Sequence, residues 1–415
     1  MIGKLLPARG TPRILVFATF VNTFGNGAYL AAEVLFLTRS VGLTPAQVAV
    51  ALSVAAGAAV VLTTPMGYLV DRAGPRRAMI GALVTLAVAY CALVLVRDLG
   101  HLLPVACVIA VGDAVVRAAN GAMIAGAVPP AERVRTRAFI RATNNAGIAL
   151  GTLAAAVPLL LDTRGAYLAL LAGNAVTSLA AALVVSRAGA VAAVRAPAGG
   201  PRLVALRDRP FLAFAVLDGF VAALYNAMLS LALPLWLVAH TEAPAALVSV
   251  VLLVNTIGCV TLQVWAARGM HTAAAAPPAI RRAAMLLALS CVLFASTGDA
   301  PVWAVAVLSV AAAAVHVVGE LMLAGASFVV VFDLARDWAH GQYQAVHQTG
   351  RQIGNMVAPP LLTALVIGWG VPGWLGLGAM FVVVGLVSAR VVGWGLHTRQ
   401  PEPPADTAVR SDVAA

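Results

Sequence analysis

The stretch VWAVAVLSVAAAAVHVVGELMLAGASFVVV, residues 302–331, decides the fold. It holds a single acid, Glu320, and a single histidine, His316, in an otherwise apolar run. A helix rises 1.5 Å per residue, so about 20 such residues cross about 30 Å of hydrocarbon. The run is therefore a membrane span. The rest of the chain repeats the pattern: of 415 residues 61% are apolar and 10% charged, where a soluble protein carries about 25% charged residues. Too little polar surface remains to coat soluble domains, and disorder or collagen-like repetition is excluded with them.

Hydropathy marks twelve spans, at 14–38, 46–69, 77–96, 102–127, 138–161, 166–186, 210–238, 244–267, 282–298, 302–331, 342–368 and 373–394. The first follows a short basic tail without a cleavage site and is too long for a signal-peptide core, so it is read as retained. One long interior break, residues 188–209, is rich in Pro, Gly and Arg and reads as a linker. It separates an N-terminal six-helix bundle (1–187) from a C-terminal one (210–396), and 397–415 reads as a disordered tail. The fold class is an all-α polytopic membrane protein. Cys91, Cys107, Cys259 and Cys291 all lie inside apolar runs, without the close spacing of metal sites or disulfide frameworks, and read as packing residues.

The formal charge is +11, from 27 Lys and Arg against 16 Asp and Glu. Most of the basic residues, including Arg133, Arg135, Arg137 and Arg141, fall on alternate loops of one side. Cytoplasmic loops retain positive charge, so both termini are placed inside. The same spread over short loops excludes nucleic acid as the partner. The excess of Arg over Lys, with abundant Ala, points to a high-GC bacterial genome and hence an inner membrane.

Six ionisable residues fall well inside spans: Glu33, Asp113, Arg117, Asp218, Glu320 and Arg351. A charge at mid-helix costs about 2.5–3.5 kcal/mol on insertion scales, so each must face protein or water. Positions i, i+4, i+7 and i+11 share a helix face. In the first span that series is Asn22, Asn26, Tyr29 and Glu33, and in the eleventh it is Gln344, Gln348, Arg351 and Asn355. Two polar stripes on apolar helices imply a common wet cavity, with interhelical hydrogen bonding as the alternative for the amides. Asn144, Asn145, Tyr225, Asn226 and His316 are further cavity candidates, and packing is the alternative for each. Asp113 and Arg117 stand four apart and can pair, as can His316 and Glu320. RAANGAMIAG from Arg117 and HVVGELMLAG from His316 match at Met, Ala and Gly, a hint of duplicated halves.

Acids in a low-dielectric cavity hold protons more tightly, so they can load and release them when access to water alternates. Glu33, Asp113, Asp218 and Glu320 are thus candidates for proton coupling, with Glu33 and Asp113 preferred and a gating role open for Glu33. The proton would be the coupling ion, with no cofactor. No H-E-x-x-H, aspartate-rich or P-loop motif supports a membrane enzyme.

Between the second and third spans stands GYLVDRAGPRR, with Gly67, Asp71, Arg72, Gly74, Arg76 and Arg77. This resembles the loop motif of the major facilitator superfamily. The resemblance implies a fold of two pseudo-symmetric six-helix bundles, and a charge cluster that latches them together on the inner side. Arg117 with Gly121 resembles the fourth-helix element of the same superfamily. LPLWLVAHTEAP from Leu233, GELMLAG from Gly319 and QYQAVHQTGRQIGNMVAPP from Gln342 resemble its twelve-helix drug:proton antiporter branch. Two features depart from that branch. The fifth span carries NNAGIALG without the glycine-proline signature of exporters, and the loop AARGMHTAAAAPPAIRR lacks the acid that stands at Asp71 in the first half. The second departure implies an asymmetric inner latch. The resemblance implies alternating-access export of amphipathic small molecules (drug or metabolite efflux) by a monomer, with proton-linked uptake of a nutrient as the alternative.

Overall fold

The computed structural model describes residues 10–189, 203–244, 246–266, 270 and 272–399. Most of the linker and all but the first residues of the tail expected from the sequence lie outside the described residues.

Twelve long helices follow one another. They are α1 (Thr11–Leu35), α2 (Pro45–Ala73), α3 (Pro75–Ala92), α4 (Leu99–Ala127), α5 (Pro130–Leu161), α6 (Arg164–Ser186), α7 (Arg209–Ala227), α8 (Ala246–Ala266), α9 (Ala276–Ala295), α10 (Val302–Asp333), α11 (His340–Leu362) and α12 (Val371–His397). Their starts are written locally. Thr44 and Gln47 form a capping box at α2, while Asp98, Thr163 and Asp208 accept backbone N–H groups at α4, α6 and α7. Helix α7 continues through a π turn, Met228–Ala232, to a final segment, Leu233–His240. Pro234, which has no N–H to give the preceding turn, sits just after that π turn.

The packing repeats six helices later. Helix α1 lies on α5 as α7 lies on α11, and the pairings α3–α6, α3–α4 and α2–α4 recur as α9–α12, α9–α10 and α8–α10. One cause is visible in the sequence. A Cβ on Gly147 or Gly151 would strike Thr23 or the Phe24 carbonyl on α1, and one on Gly350 or Gly354 would strike the Ala215 or Gly219 carbonyl on α7. The four-residue glycine spacing thus brings two helices into backbone contact in each half.

Each half has its own core, around Leu83, Leu86 and Tyr90 in one and Phe211, Phe294 and Trp374 in the other. Val134 of α5 is packed into the second core and Phe332 of α10 into the first, so the halves interdigitate near the face that carries the chain termini. Eleven helices of the described residues are long and apolar enough to cross a membrane. Helix α11 is not among them, because Gln342, Gln344, His347, Gln348 and Arg351 crowd its first half. It is sheltered instead by α7, α2 and α4.

Candidate functional site

Between the halves lies a cavity of about 400 Å³, lined from α1, α3 to α8, α10 and α11. Its walls carry Asn22, Asn26, Asp113, Arg117, Asn144, Asn145, Asp218, Tyr225, Asn226, Glu320, Gln348 and Arg351, all expected from the sequence. The wet cavity inferred from the two stripes therefore exists, but the stripes do not line it along their whole length. Tyr29 and Glu33 hydrogen-bond to each other at 2.6 Å, the Tyr29 ring packs on Tyr90, and neither is among the lining residues. Tyr90 also donates to Asn26 at 3.3 Å. On α11, Gln344 is buried against Gly121, and Asn355 lies past the cavity with an exposed side chain.

The two i,i+4 pairs fare differently. Asp113 and Arg117 both face the cavity, yet the structure forms no ion pair between them within 4.0 Å. Glu320 has a partner that residue spacing along its own helix does not reveal. Arg141 of α5 donates to its Oε1 across the boundary between the halves, with Tyr225 beside the guanidinium. Asn255 of α8 donates to Oε2 at 3.0 Å, and His316 stands 3.7 Å from that oxygen. His316 is fully buried outside the cavity, with Tyr225 edge-on to its ring.

Asp218 anchors a second cluster. Its Oδ2 accepts Ser327 Oγ at 3.0 Å and lies 2.7 Å from His347 Nε2, while Ser327 and His347 are themselves 3.3 Å apart. Helices α7, α10 and α11 thereby meet on one buried carboxylate. The His347 ring stacks on Phe214, which holds its nitrogen toward the acid.

Sequence reasoning missed Arg137, Arg141, His347 and Ser327. It counted both with the inner-side loop charges, Arg137 just before and Arg141 just inside the span drawn at 138–161, because a hydropathy window ends where charge begins. Helix α5 in fact starts at Pro130, so they lie about two and three turns inside it. Helical phase would have found them, since Arg137, Arg141 and Asn144 share one face. His347 falls on the same face as Arg351, four residues on.

At the terminal face Asp71 joins the two halves, through partners other than the loop arginines. Asp71 Oδ1 accepts the Gly341 N–H at 2.6 Å and Oδ2 accepts the Gln342 N–H at 3.0 Å. The carboxylate of α2 therefore caps the first turn of α11 in the other half, where orphan N–H groups and the helix dipole favour negative charge. The charge cluster of Asp71 with the loop arginines is corrected accordingly: Arg72 and Arg77 are exposed, and Arg76 donates to the Ser186 carbonyl on α6. Gly67 lets the helices close, because a Cβ there would lie 2.5 Å from Ala345 Cβ and 2.7 Å from the Gly341 carbonyl oxygen. Gly74, at φ 87°, turns the chain between α2 and α3. The opposite half has no counterpart of Asp71 at the start of α5, where Pro129 precedes the helix without a side-chain cap.

The fold is shared with solved transporters. A bacterial homologue of the iron transporter ferroportin, in an outward-facing state, superposes with TM-score 0.70 at 13% identity, covering 93% of this chain and 99% of that one. The E. coli fucose:proton symporter FucP gives 0.66 at 14% identity over 91% and 97% of the two chains. The proton:xylose symporter XylE gives 0.68 at 12% identity over 92% and 95%. Among curated proteins no sequence matches. The sequence profile described as Major Facilitator Superfamily matches residues 15–324. With that profile over most of its length, and a polar cavity between two six-helix halves, the chain is a membrane transporter that belongs to the Major Facilitator Superfamily.

Proposed function

We propose that this transporter couples the movement of a small amphipathic molecule out of the cell to proton influx, by alternating access of the central cavity. The observation that carries the reading is the Arg141–Glu320 ion pair, buried beside the cavity and bridging the two halves. Protonating Glu320 removes the charge that holds Arg141, and breaking a buried pair costs about 3–5 kcal/mol. That is enough to shift a two-state equilibrium by a factor of several hundred. Asp218, bonded to His347 and Ser327, is the second acid within reach of cavity water. Glu33 is given a supporting role here, since its carboxylate is bonded to Tyr29 away from the cavity.

The cycle then has two requirements. A proton arriving from the far side neutralises Glu320 and loosens α5 from α10, and the Asp71 cap on α11 must break before the terminal face can open. Two proteins of the same fold, FucP and XylE, are proton symporters, which supports proton coupling by analogy of fold. We place the protein in a bacterial inner membrane as a monomer, with both termini cytoplasmic, following the distribution of basic loop residues.

Purified protein in liposomes, loaded with a pH-sensitive dye, tests the proposal. Proton flux opposed to the flux of an added amphipathic compound is the expected result. Flux in the same direction establishes uptake in place of export, and compound flux with no proton movement removes the coupling.

A further inference from the structure

The cavity wall is unevenly charged. Four arginines, Arg117, Arg137, Arg141 and Arg351, face it against three acids, Asp113, Asp218 and Glu320. Two of the acids are already engaged, Glu320 by Arg141 and Asp218 by His347. Arg117, Arg137 and Arg351 have no carboxylate within 4.0 Å among the described residues. Arg137 has only the Phe328 ring, 5.5 Å from its guanidinium carbon, and it lies close enough to Arg141 and Arg351 to be repelled by both. Arg117 is drawn to Asp113 and Arg351 to Asp218 without reaching ion-pair distance. Against three acids the four arginines therefore leave one positive charge over, nearest Arg137, and cations short of counter-charge are costly to hold inside a membrane protein. They are relieved when an anion arrives, and a guanidinium offers carboxylate, sulfonate or phosphate oxygens a planar pair of donors.

The apolar part of the wall is near these cations. Ile140, Leu323 and Phe328 line the same cavity, and Phe328 is the ring that Arg137 covers. An anion seated on Arg137 would therefore lay an attached apolar body against that ring and its neighbours.

From this juxtaposition we infer that the transported compound is an amphipathic anion, its charged group held by Arg117, Arg137 and Arg351 and its apolar part packed on Ile140, Leu323 and Phe328. The inference rests on reading the cavity as the transport site and supplies the substrate class that reading leaves open. It also orders the steps: once an anion neutralises the excess positive charge, Arg137 no longer repels Arg141 and Arg351, and the halves can draw together around the load.

Two probes with one fluorophore and opposite charge test it, N-dansylglycine and dansylcadaverine. Binding to the full-length protein in nanodiscs is measured at pH 7.5 in low salt, without a proton gradient, against empty nanodiscs. The anionic probe is expected to bind at least tenfold more tightly than the cationic one and to weaken severalfold when salt rises from 50 to 500 mM. R137Q and R351Q should each weaken it at least fivefold, while R137K and R351K, which keep the charge but not the planar pair of donors, should weaken it less. Equal or tighter binding of the cation, or an anion affinity unmoved by both glutamine variants, overturns the inference. A glutamine variant that loses its monodisperse elution profile is replaced in this comparison by the salt dependence of the unaltered protein, which decides alone. Because no gradient is applied, anion binding without proton flux would sink only the coupling proposal. Proton flux driven by dansylcadaverine alone would sink only the substrate class.

Discussion

Arg141 of α5 and Glu320 of α10 form an ion pair that joins the two halves of the bundle beside the cavity, with Asn255 of α8 completing the carboxylate's bonds. The side chains are 19% and 7% exposed, so water screens the pair little. Removing only one partner therefore leaves an uncompensated buried charge. Glu320→Ala is expected to destabilise the protein by about 3–5 kcal/mol, and Glu320→Gln by less, because the amide still bonds Arg141. In liposomes Glu320→Gln should abolish flux driven by a pH gradient while leaving substrate exchange at equal pH. Gradient-driven flux within twofold of the unaltered protein would remove Glu320 from the coupling.

Asp218 binds Ser327 and His347 at once. Asp218→Asn keeps the shape but loses the charge-assisted bonds, each worth about 1.5–3 kcal/mol. A measurable fall in melting temperature is expected, with at least a tenfold loss of gradient-driven transport. Ser327→Ala removes one of those bonds, so it should cost about 1.5–3 kcal/mol and leave coupling intact, which separates proton chemistry from packing.

Asp71 reaches across the terminal face to the first turn of α11. Losing a helix cap costs about 0.5–2 kcal/mol. Asp71→Ala should therefore populate the form open to that face several times more often. The measurement is labelling of Gln348→Cys, in a chain whose four native cysteines are replaced by alanine, with a membrane-impermeant maleimide added from that side. An unchanged labelling rate would show that the cap does not hold the seal.

Gly67 brings α2 into backbone contact with α11. Gly67→Val would press a branched side chain into Ala345 and the Gly341 carbonyl, and overpacking of this kind costs about 1–3 kcal/mol. The seal should fail in the same labelling assay by a larger factor than for Asp71→Ala. Transport should fall with it.

The far face offers a pH test. The Tyr167 hydroxyl, and then Arg39 at 2.6 Å, hold the Asp162 carboxyl below the usual carboxylate range. A depressed folded value means that the contribution is complete above the ordinary unfolded value of about 4 and fades as pH falls through the folded one. Asp162→Asn, which suits the left-handed backbone at φ 46°, should lower the melting temperature by more at pH 7 than at pH 3. An equal difference at both pH values would show that the ionised carboxylate contributes nothing there.

The cavity was legible because charge in hydrocarbon is costly. Asp113, Asp218, Glu320 and Arg351 stand out of apolar runs, and all four line it. Arg137 and Arg141 were hidden for the same reason in reverse: they sit at the polar end of a long helix, where a hydropathy window registers a loop. Glu33 stood out equally, and its bond to Tyr29 follows from their spacing on one helix, but the packing of Tyr29 on Tyr90, off the cavity, was decided by the tertiary structure.

What the sequence determined by itself was the all-helical membrane class and the set of polar residues that had to face away from lipid. Those follow from hydrogen bonding and hydrophobicity counted along one helix at a time. Which charge meets which was settled only by the tertiary structure. Glu320 could have paired with His316 on its own helix, and Asp71 with its neighbouring arginines. Both instead bond groups brought near by packing across the two halves, a distance that no spacing along the chain encodes.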